Sequence, residues 1–280
     1  MIERWIAAEA QIVTGILFTS IILVALIEEF VPRRSLNAPK ALRWSGNILI
    51  DILDVILVRA LVPVLSVGMA VLAAGKGWGL LNLVSIPNSL GILIAFVVID
   101  FSRYLQHYLL HRVPWLWRLH LVHHTDQDYD FSTGLRFHPI ESFFTVVYDL
   151  IVVALLGPAV AAVLFYEAFK AIWSIVVHAN IFVPLPVDRV MRPFLITPDV
   201  HRIHHSAEPG ETNSNYGGIT PIWDKLFGTY IDQPAYGHEG MTIGLPGYRD
   251  AKYLKLTNML AQPFVRVPLP EPQQTEPQAQ

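Results

Sequence analysis

Histidine is concentrated in three short segments of this chain, and metal binding is the chemistry that such clustering favours. The 280 residues include 11 histidines and no cysteine. The first segment, HYLLH, spaces its two histidines four residues apart, and the second and third, HLVHH and HRIHH, share one spacing. Because residues three and four apart lie on one face of a helix, each segment is predicted to present its imidazoles as a stripe. The eight imidazoles of these segments belong to His107, His111, His120, His123, His124, His201, His204 and His205.

The number of imidazoles indicates how many metal ions they hold. Imidazole nitrogen suits iron, zinc and copper, and one zinc ion needs only about four donors. Eight donors therefore predict two metal ions. A single HxxxH pair arises easily by chance, but packing gives no reason to repeat one spacing twice. The lack of cysteine excludes thiolate zinc sites, cysteine-held iron–sulfur clusters, disulfides and a cysteine nucleophile.

Three histidines lie outside these segments. His178 shares a predicted apolar helix with polar residues, and ionisable groups within such helices usually face a functional interior. We predict that His178 is a ninth ligand, with a role in supporting another ligand or a position at the lipid interface as the alternatives. His138, in RFHPIE, is either a further ligand or a residue that fixes loop geometry. His238, in a glycine-rich stretch, is expected at the surface.

Acidic residues near the histidines are candidates to support the ligands. A ligand imidazole commonly donates its second N–H group to a carboxylate. Asp100, Glu141 and Asp199 are placed to accept such hydrogen bonds. The third histidine segment also carries a helix-start signal, in which Thr197 is the expected cap and Pro198 the first helical residue.

The composition indicates an integral membrane protein. Apolar residues make up 53% of the chain and charged residues 15%, and the mean hydropathy is +0.43. Helices of about 20 apolar residues can cross a bilayer, and residues 6–27, 48–74, 89–110 and 142–182 contain such stretches. We predict an all-α membrane bundle of about four transmembrane helices. Residues 48–74 form either one tilted span or an interfacial helix and a short span, and residues 142–182 form two spans or a shallow hairpin hinged at Gly157 and Pro158.

Charge and flanking residues predict the orientation of the bundle. Residues 31–43 and 103–136 are both rich in arginine and lysine, which favours the cytoplasmic side. Two crossings separate these regions, so every histidine segment is predicted on the cytoplasmic face as a di-metal cap. The N-terminal segment lacks the basic start of a cleavable signal and is expected to remain as a span. A net charge of −3 gives no general basic field for nucleic acid, and none is expected as a partner.

Together with RFHPIE and NYGGITPIWDKLFGTY, the three histidine segments resemble the fatty acid hydroxylase superfamily, which includes sterol desaturases and C4-methyl sterol oxidases. The resemblance covers roughly residues 90–235. It implies a di-iron centre that activates O2, held and made catalytic by the eight imidazoles named above. It also implies an additional histidine between the second and third segments, and His178 is the best match.

The apolar pattern, the composition of the tail and the resemblance together predict the organisation of the chain and its partners. Residues 1–88 are expected to form N-terminal spans, residues 89–235 the catalytic domain and residues 236–280 a tail that is disordered from about Gln262. The substrate is expected to be a lipid or sterol-like molecule from the bilayer. No fused cytochrome b5 or flavin segment is recognisable, so the electron donor is expected to be separate, of the cytochrome b5 or ferredoxin type with its reductase.

Alternative classes of protein remain open from the residues alone. A histidine-ligated zinc or copper membrane protein without redox catalysis is the main one, although the predicted spans offer few polar groups for a metal path. A metal-dependent hydrolase usually has a carboxylate within the motif, as in HExxH, and no segment here has one. Hydroxylation and desaturation begin with the same hydrogen abstraction, and no spacing in the sequence separates them.

Overall fold

The structure is a computed structural model that describes residues 2–265, and these residues are helical with short connections. The described part contains no β-strand, only isolated bridges that join Pro32 to Ile181 and Ser206 to Ile243. The α-helices of the described part are α1 (Ile2–Phe30), α2 (Lys40–Leu61), α3 (Ser66–Lys76), α4 (Leu80–Leu83), α5 (Asn88–Arg112), α6 (Pro114–His124), α7 (Pro139–Leu156), α8 (Val160–Val177), α9 (Leu185–Met191), α10 (Pro198–His204), α11 (Pro209–Thr212), α12 (Ile222–Phe227), α13 (Gly237–Gly240) and α14 (Leu256–Ala261). Short 3-10 helices lie at Phe131–Leu135, Pro246–Tyr248, Ala251–Leu254 and Gln262–Phe264.

Five segments of the described chain are long and apolar enough to cross a bilayer, against the prediction of about four. They are Gln11–Phe30, Lys40–Leu83, Asn88–Arg112, Pro139–Leu156 and Val160–Val177. Their outward surfaces carry exposed large apolar side chains, as expected where lipid rather than water is the neighbour. Examples from each segment are Phe18, Ile56, Leu93, Leu155 and Phe165. The chain is thus an all-α, multi-pass membrane protein.

The predicted hinge at Gly157 and Pro158 separates two full helices, α7 and α8, rather than a shallow hairpin. Gly157 adopts a φ of +63°, a left-handed conformation that favours glycine. A Cβ atom on Gly157 would lie 2.4 Å from the carbonyl oxygen of Trp78. The turn between α3 and α4 therefore approaches the hinge backbone directly. In the same way, the predicted 48–74 segment breaks after Leu61 into α2 and α3.

The interior of the bundle is built from small and branched apolar side chains. Helix α1 packs along α8, and α3 packs against α1, α7 and α8. A core cluster between α3, α5, α7 and α8 includes Val67, Ala95, Val153 and Val163, all of which are almost fully buried. Its apolar packing holds α5, which carries His107 and His111, at a fixed separation from α8, which His178 directly follows.

One end of the bundle is shared by every histidine segment, as predicted. Helices α1, α5 and α8 end there, and α2 and α7 begin there. The ends of α1 and α8 are joined by backbone hydrogen bonds, since Arg33 N donates to Asn180 O and Phe182 N donates to Val31 O, both at 2.9 Å. Arg43 at the start of α2 reaches the loop after α6, where its guanidinium meets Asp126 at 2.6 Å.

The C-terminal segment packs over this same end. Met241, Leu254 and Met259 are buried. Gln262, where the predicted disorder begins, is also buried, and its side-chain oxygen accepts a hydrogen bond from Thr125 at 2.9 Å. Order therefore extends past the predicted start of the disordered tail, and residues 266–280 of that tail lie outside the described residues.

Candidate metal centre

Nine histidines lie in two adjoining groups at the shared end of the bundle, and within each group one ring nitrogen of every histidine lies within 4.8 Å of the others. Group A contains His107, His111, His120, His124 and His204. Group B contains His123, His178, His201 and His205. The groups adjoin closely, because the rings of His124 and His205 stack with their centroids 4.7 Å apart. The structure thus brings together nine of the ten histidines singled out as metal ligands by the sequence.

Each HxxHH segment is divided between the two groups. In α6, His120 and His124 belong to group A while His123 belongs to group B. In and just after α10 the division is reversed, since His204 belongs to group A while His201 and His205 belong to group B. The two residues four apart always stay together, because they lie one above the other on one helix face. The remaining histidine points about a third of a turn away, toward the other group.

The spacing of ring nitrogens within each group matches that of ligands to one ion. In group A, His107 Nε2 lies 3.2 Å from His120 Nε2. In group B, His178 Nε2 lies 3.3 Å from His123 Nε2 and 3.1 Å from His201 Nε2. Two nitrogens that each lie about 2.0–2.1 Å from one metal ion, at tetrahedral or octahedral angles, are separated by about 2.9–3.4 Å.

Hydrogen bonds from the far side of several rings determine which nitrogen is free. The Nδ1 atoms of His107, His123, His178 and His204 lie 2.6–3.2 Å from the main-chain carbonyl oxygens of Tyr216, Arg136, Ser174 and Ser214. A carbonyl oxygen only accepts, so Nδ1 carries the hydrogen and donates. The lone pair of each of these rings is then on Nε2, which faces the interior of its group.

Several other ring nitrogens are buried without any hydrogen-bond partner. Neither nitrogen of His111 or of His124 has a hydrogen-bond partner, and Nε2 of His204 and Nε2 of His205 also have none. A buried polar atom without a partner costs about 1–3 kcal/mol. A metal ion in each group would accept these lone pairs, so the residues present fit such an ion.

Burial also favours the neutral form of the histidines. Outside the membrane-spanning segments, burial lowers the pKa of His178 to about 4, and burial together with the neighbouring imidazole of His120 lowers the pKa of His204 to about 3. The pKa values of His123, His124, His201 and His205 are lowered well below the ordinary range, mainly by burial and then by neighbouring imidazoles. Neutral imidazole is the form that binds metal.

One of the three acidic residues proposed to support the ligands does so. Glu141, in the first turn of α7, accepts a hydrogen bond from His120 Nδ1 at 2.7 Å. Asp100 instead accepts from Thr220 and from Trp223. Asp199, in α10, pairs with Arg202 of the same helix and with Arg33 at 3.3 Å, so its charge is not used on a ligand ring.

Two histidines have structural positions outside the groups. His138 caps the start of α7, where its Nδ1 accepts from Ile140 N at 3.2 Å and its Nε2 contacts Leu260 O at 3.3 Å. These contacts correspond to the loop-fixing alternative left open for His138. His238 was expected at the surface, but it is buried, and its Nε2 lies 3.4 Å from Asp199.

The loop before α12 supplies two of the carbonyl groups that orient the rings, and only its motif was noted in the sequence. Asn215 adopts a φ of +51°, and its amide group donates to Val200 O and to Ile231 O. The carboxylate of Asp224 accepts from the backbone N–H groups of Tyr216 and Gly217, each at 2.8 Å. These contacts direct Ser214 O and Tyr216 O at the histidines. The NYGG sequence followed by an aspartate was the available signal.

A buried polar network supports the second histidine segment from behind. Arg136 is fully buried, and its guanidinium donates to Val122 O, Asn47 Oδ1 and Tyr253 O. Beside it, Arg43 pairs with Asp126 and with Asp130 at 2.7 Å. Thr197, the expected cap of α10, makes no side-chain cap hydrogen bond, whereas Pro198 does occupy the first turn.

An all-helical membrane bundle that buries, at one end, two groups of histidines able to hold metal ions is typical of one class of membrane metalloproteins. Residues 92–229 match the family model described as "Fatty acid hydroxylase". Residues 92–229 therefore form a domain of the fatty acid hydroxylase superfamily, and this domain contains every histidine of both groups.

Individual relatives share this part of the chain. Alkylglycerol monooxygenase of Caenorhabditis elegans is 35% identical over 144 residues, which cover 49% of this chain and 27% of the relative. Ornithine lipid hydroxylase OlsE of Rhizobium tropici is 33% identical over 182 residues, which cover 64% of this chain and 52% of the relative. Human cholesterol 25-hydroxylase is 28% identical over 140 residues, which cover 49% of this chain and 50% of the relative. The chain thus spans about half or less of the length of these relatives. No solved structure matches it.

Proposed function

We propose that this protein is a membrane-bound di-iron oxygenase that hydroxylates or desaturates a lipid or sterol-like substrate. The observation that carries the proposal is the division of three histidine segments into two adjoining groups with buried, partly unpartnered ring nitrogens. Two such groups require two ions, and imidazole donors suit iron. The names of the matched relatives, which are hydroxylases and monooxygenases of lipids and sterols, agree with this chemistry.

Iron bound by the two groups would supply the O2-activating redox chemistry. Group A ligands would be His107, His111, His120, His124 and His204, and group B ligands would be His123, His178, His201 and His205. In hydroxylation one atom of O2 enters a C–H bond of the substrate and the other leaves as water, which consumes two electrons and two protons. The electrons come from a separate donor of the cytochrome b5 or ferredoxin type with its reductase.

The protein's own residues hold the ligand rings and exclude water. Main-chain carbonyl groups fix the Nδ1–H tautomer of four rings, and Glu141 does the same for His120. The burial of the rings keeps the site dry, which protects reactive species from side reactions. Both groups consist of histidines alone, so ions bound there would keep their full charge, whereas the buried Asp126 is paired with Arg43.

Metal analysis of the purified protein tests the proposal. Protein prepared anaerobically with iron is expected to contain about two iron ions per chain. One zinc ion per chain, or no metal, would instead favour the histidine-ligated zinc or copper alternative. His123→Ala and His204→Ala, one from each group, are expected to abolish O2-dependent lipid oxidation while the protein remains inserted in the membrane. Retained activity in either variant would show that the group containing that histidine is not needed for catalysis.

We also propose that the histidine-bearing end of the bundle faces the cytoplasm. The exposed basic side chains Lys40, Arg112 and Arg118 lie at or near this end, and basic residues favour the cytoplasmic side. The C-terminal segment packs at the same end, so a reporter fused after Gln280 is expected to read as cytoplasmic. An external reading would reverse the proposed orientation.

A further inference from the structure

A cavity of about 270 Å³ lies between α5, α6 and α7, on the far side of His120 from the interior of group A. Its walls are mainly apolar and include Leu109, Leu116, Val147 and Ile151. The two membrane-spanning helices α5 and α7 form its sides, and α6 closes it at the histidine-bearing end. The cavity is continuous with the lipid-facing surface, because Trp115 and Phe144 line it and are also exposed.

The inner wall of the cavity is made by residues next to the group A ligands. Gln106 and Leu110 each precede a ligand on α5, and Leu119 precedes His120 on α6. Glu141 also lines the cavity while its Oε1 atom accepts from His120. A molecule in the cavity is therefore separated from group A by a single layer of side chains.

One polar atom in this wall lacks a partner. Glu141 is 3% exposed, and its Oε2 atom makes no hydrogen bond in the structure. The neighbouring amide of Gln106 donates to Thr145 Oγ1 at 3.0 Å and makes no hydrogen bond to Glu141 Oε2. A carboxylate oxygen accepts hydrogen bonds, so the partner suited to Oε2 is a donor. A buried acceptor without a donor is costly, which favours a ligand that supplies one.

We propose that this cavity binds an aliphatic chain of the lipid substrate, entering from the bilayer between Trp115 and Phe144, and that Glu141 Oε2 receives a hydrogen bond from a hydroxyl or amide N–H group of that lipid. This inference rests on the proposed oxygenase function. It adds a substrate class, namely lipids that combine an aliphatic chain with a hydrogen-bond donor. The apolar walls hold the chain, and Glu141 fixes its position along the cavity.

Photolabelling of the iron-loaded protein in lipid nanodiscs tests the inference. The probe is hexadecanol that carries a diazirine in its chain, and adducts are mapped by mass spectrometry. Adducts on Leu109, Phe144 and Ile151 are expected to be competed by unlabelled hexadecanol. Adducts on the exposed Phe165 of α8 report general contact with lipid and are not expected to be competed. Equal competition at both places, or at neither, would overturn the inference.

Two comparisons sharpen the test. The methyl ether of the same probe lacks the donor and is expected to label the cavity about two- to tenfold less well, as one lost hydrogen bond predicts. Equal labelling would refute the role of Glu141 Oε2. Val147→Trp fills the cavity and is expected to prevent competed labelling, whereas Leu155→Trp, an exposed position on the same helix outside the cavity wall, is expected to leave it unchanged.

Iron content measured on the same samples separates the two proposals. Iron present at about two ions per chain with no competed labelling in the wild-type protein would sink the cavity inference alone. Competed labelling with no iron bound would sink the di-iron function and leave a lipid-binding cavity. The wild-type comparison of alcohol and ether remains decisive if Val147→Trp fails to fold.

Discussion

The carbonyl oxygen of Arg136 lies 3.2 Å from Nδ1 of His123, and the guanidinium of the same arginine donates to Val122 O at 2.7 Å. One residue thus holds two consecutive positions of α6, through its main chain and through its side chain. Because His123 is the ligand that α6 contributes to group B, the contact orients that ring from outside the metal centre. Arg136 lies in the RFHPIE segment, so part of that motif serves to place the second histidine segment.

Replacing Arg136 by lysine is expected to destabilise the protein. Lysine lacks the planar fork of donors, so at least one of the acceptors at Val122, Asn47, Thr125 and Tyr253 would lose its partner. We expect a loss of about 1–3 kcal/mol for each buried acceptor left unpaired. Thermal unfolding in detergent, followed by tryptophan fluorescence, measures the effect. The exposed Arg118→Lys serves as the control, and an equal Tm for the two variants would contradict the assigned role.

Changing Glu141 is expected to weaken metal binding in group A specifically. Glu141→Ala removes the acceptor for His120 Nδ1–H, and loss of such an outer contact typically lowers metal affinity about 10–100-fold. Glu141→Gln keeps an amide oxygen that can accept, so its effect is expected to be smaller. Competition with a chelator, followed by metal analysis, gives the affinities. The exposed Glu208→Gln is the matched control, and metal loss that is the same in all three variants would argue against this contact.

The division of the third histidine segment can be tested by pairs of substitutions. His201→Ala with His205→Ala removes two ligands of group B and none of group A, so about one metal ion per chain is expected to remain. His201→Ala with His204→Ala removes one ligand from each group and is expected to reduce binding in both. Metal stoichiometry of the two double variants measures the difference. Identical stoichiometry and affinity would mean that the three histidines of the third segment do not divide between the groups as the geometry indicates.

A matching pair of substitutions in the second histidine segment completes the test. His120→Ala with His124→Ala removes two ligands of group A only, so the ion in group B is expected to remain. The variant of the third segment should therefore retain the ion of group A, and the variant of the second segment the ion of group B. Spectra of cobalt-substituted protein would distinguish the two environments, and one common spectrum would speak against separate groups.

The hinge between α7 and α8 offers a contrast between two glycines. Gly157→Ala places a Cβ atom 2.4 Å from Trp78 O on a residue with positive φ, so a clear fall in Tm is expected. Gly75→Ala, in α3, meets no atom within 4 Å and is expected to stabilise its helix by up to about 1 kcal/mol. Thermal unfolding of both variants in one detergent measures the contrast. A fall of similar size in both would show that the close approach at the hinge is not the cause.

The basic loops and the crossings between them predicted that the histidines share one end of a membrane bundle, and the helical spacing predicted that each segment presents them as a stripe. It also indicated that His107 and His111 act as a pair, because residues four apart lie on one helix face. The division of each HxxHH segment could not be predicted in this way. Which histidine turns toward which group depends on how α5, α6 and α10 approach one another, and spacing within one segment contains no information about that approach.

Local signals did not indicate that several polar residues are buried, and the physical reason is the same in each case. Arg43 and Arg136 were counted as basic residues of cytoplasmic loops, yet both are buried and satisfied by carboxylates or carbonyl groups. His238 was expected at the surface but is buried beside Asp199. Arg43 and His238 have their partners far away along the chain, and Arg136 also reaches the distant Asn47 and Tyr253, so no short sequence window contains these contacts.

Helices α6 and α10 each contribute ligands to both groups. An ion bound in either group therefore orders both helices. The first ion to bind restricts the motion of both helices. Less conformational entropy is then lost when the second ion binds. Loading is therefore expected to be cooperative, so that substoichiometric iron yields a mixture of empty and doubly loaded chains and few chains with a single ion. In this arrangement the two ions of one chain are expected to bind together or not at all.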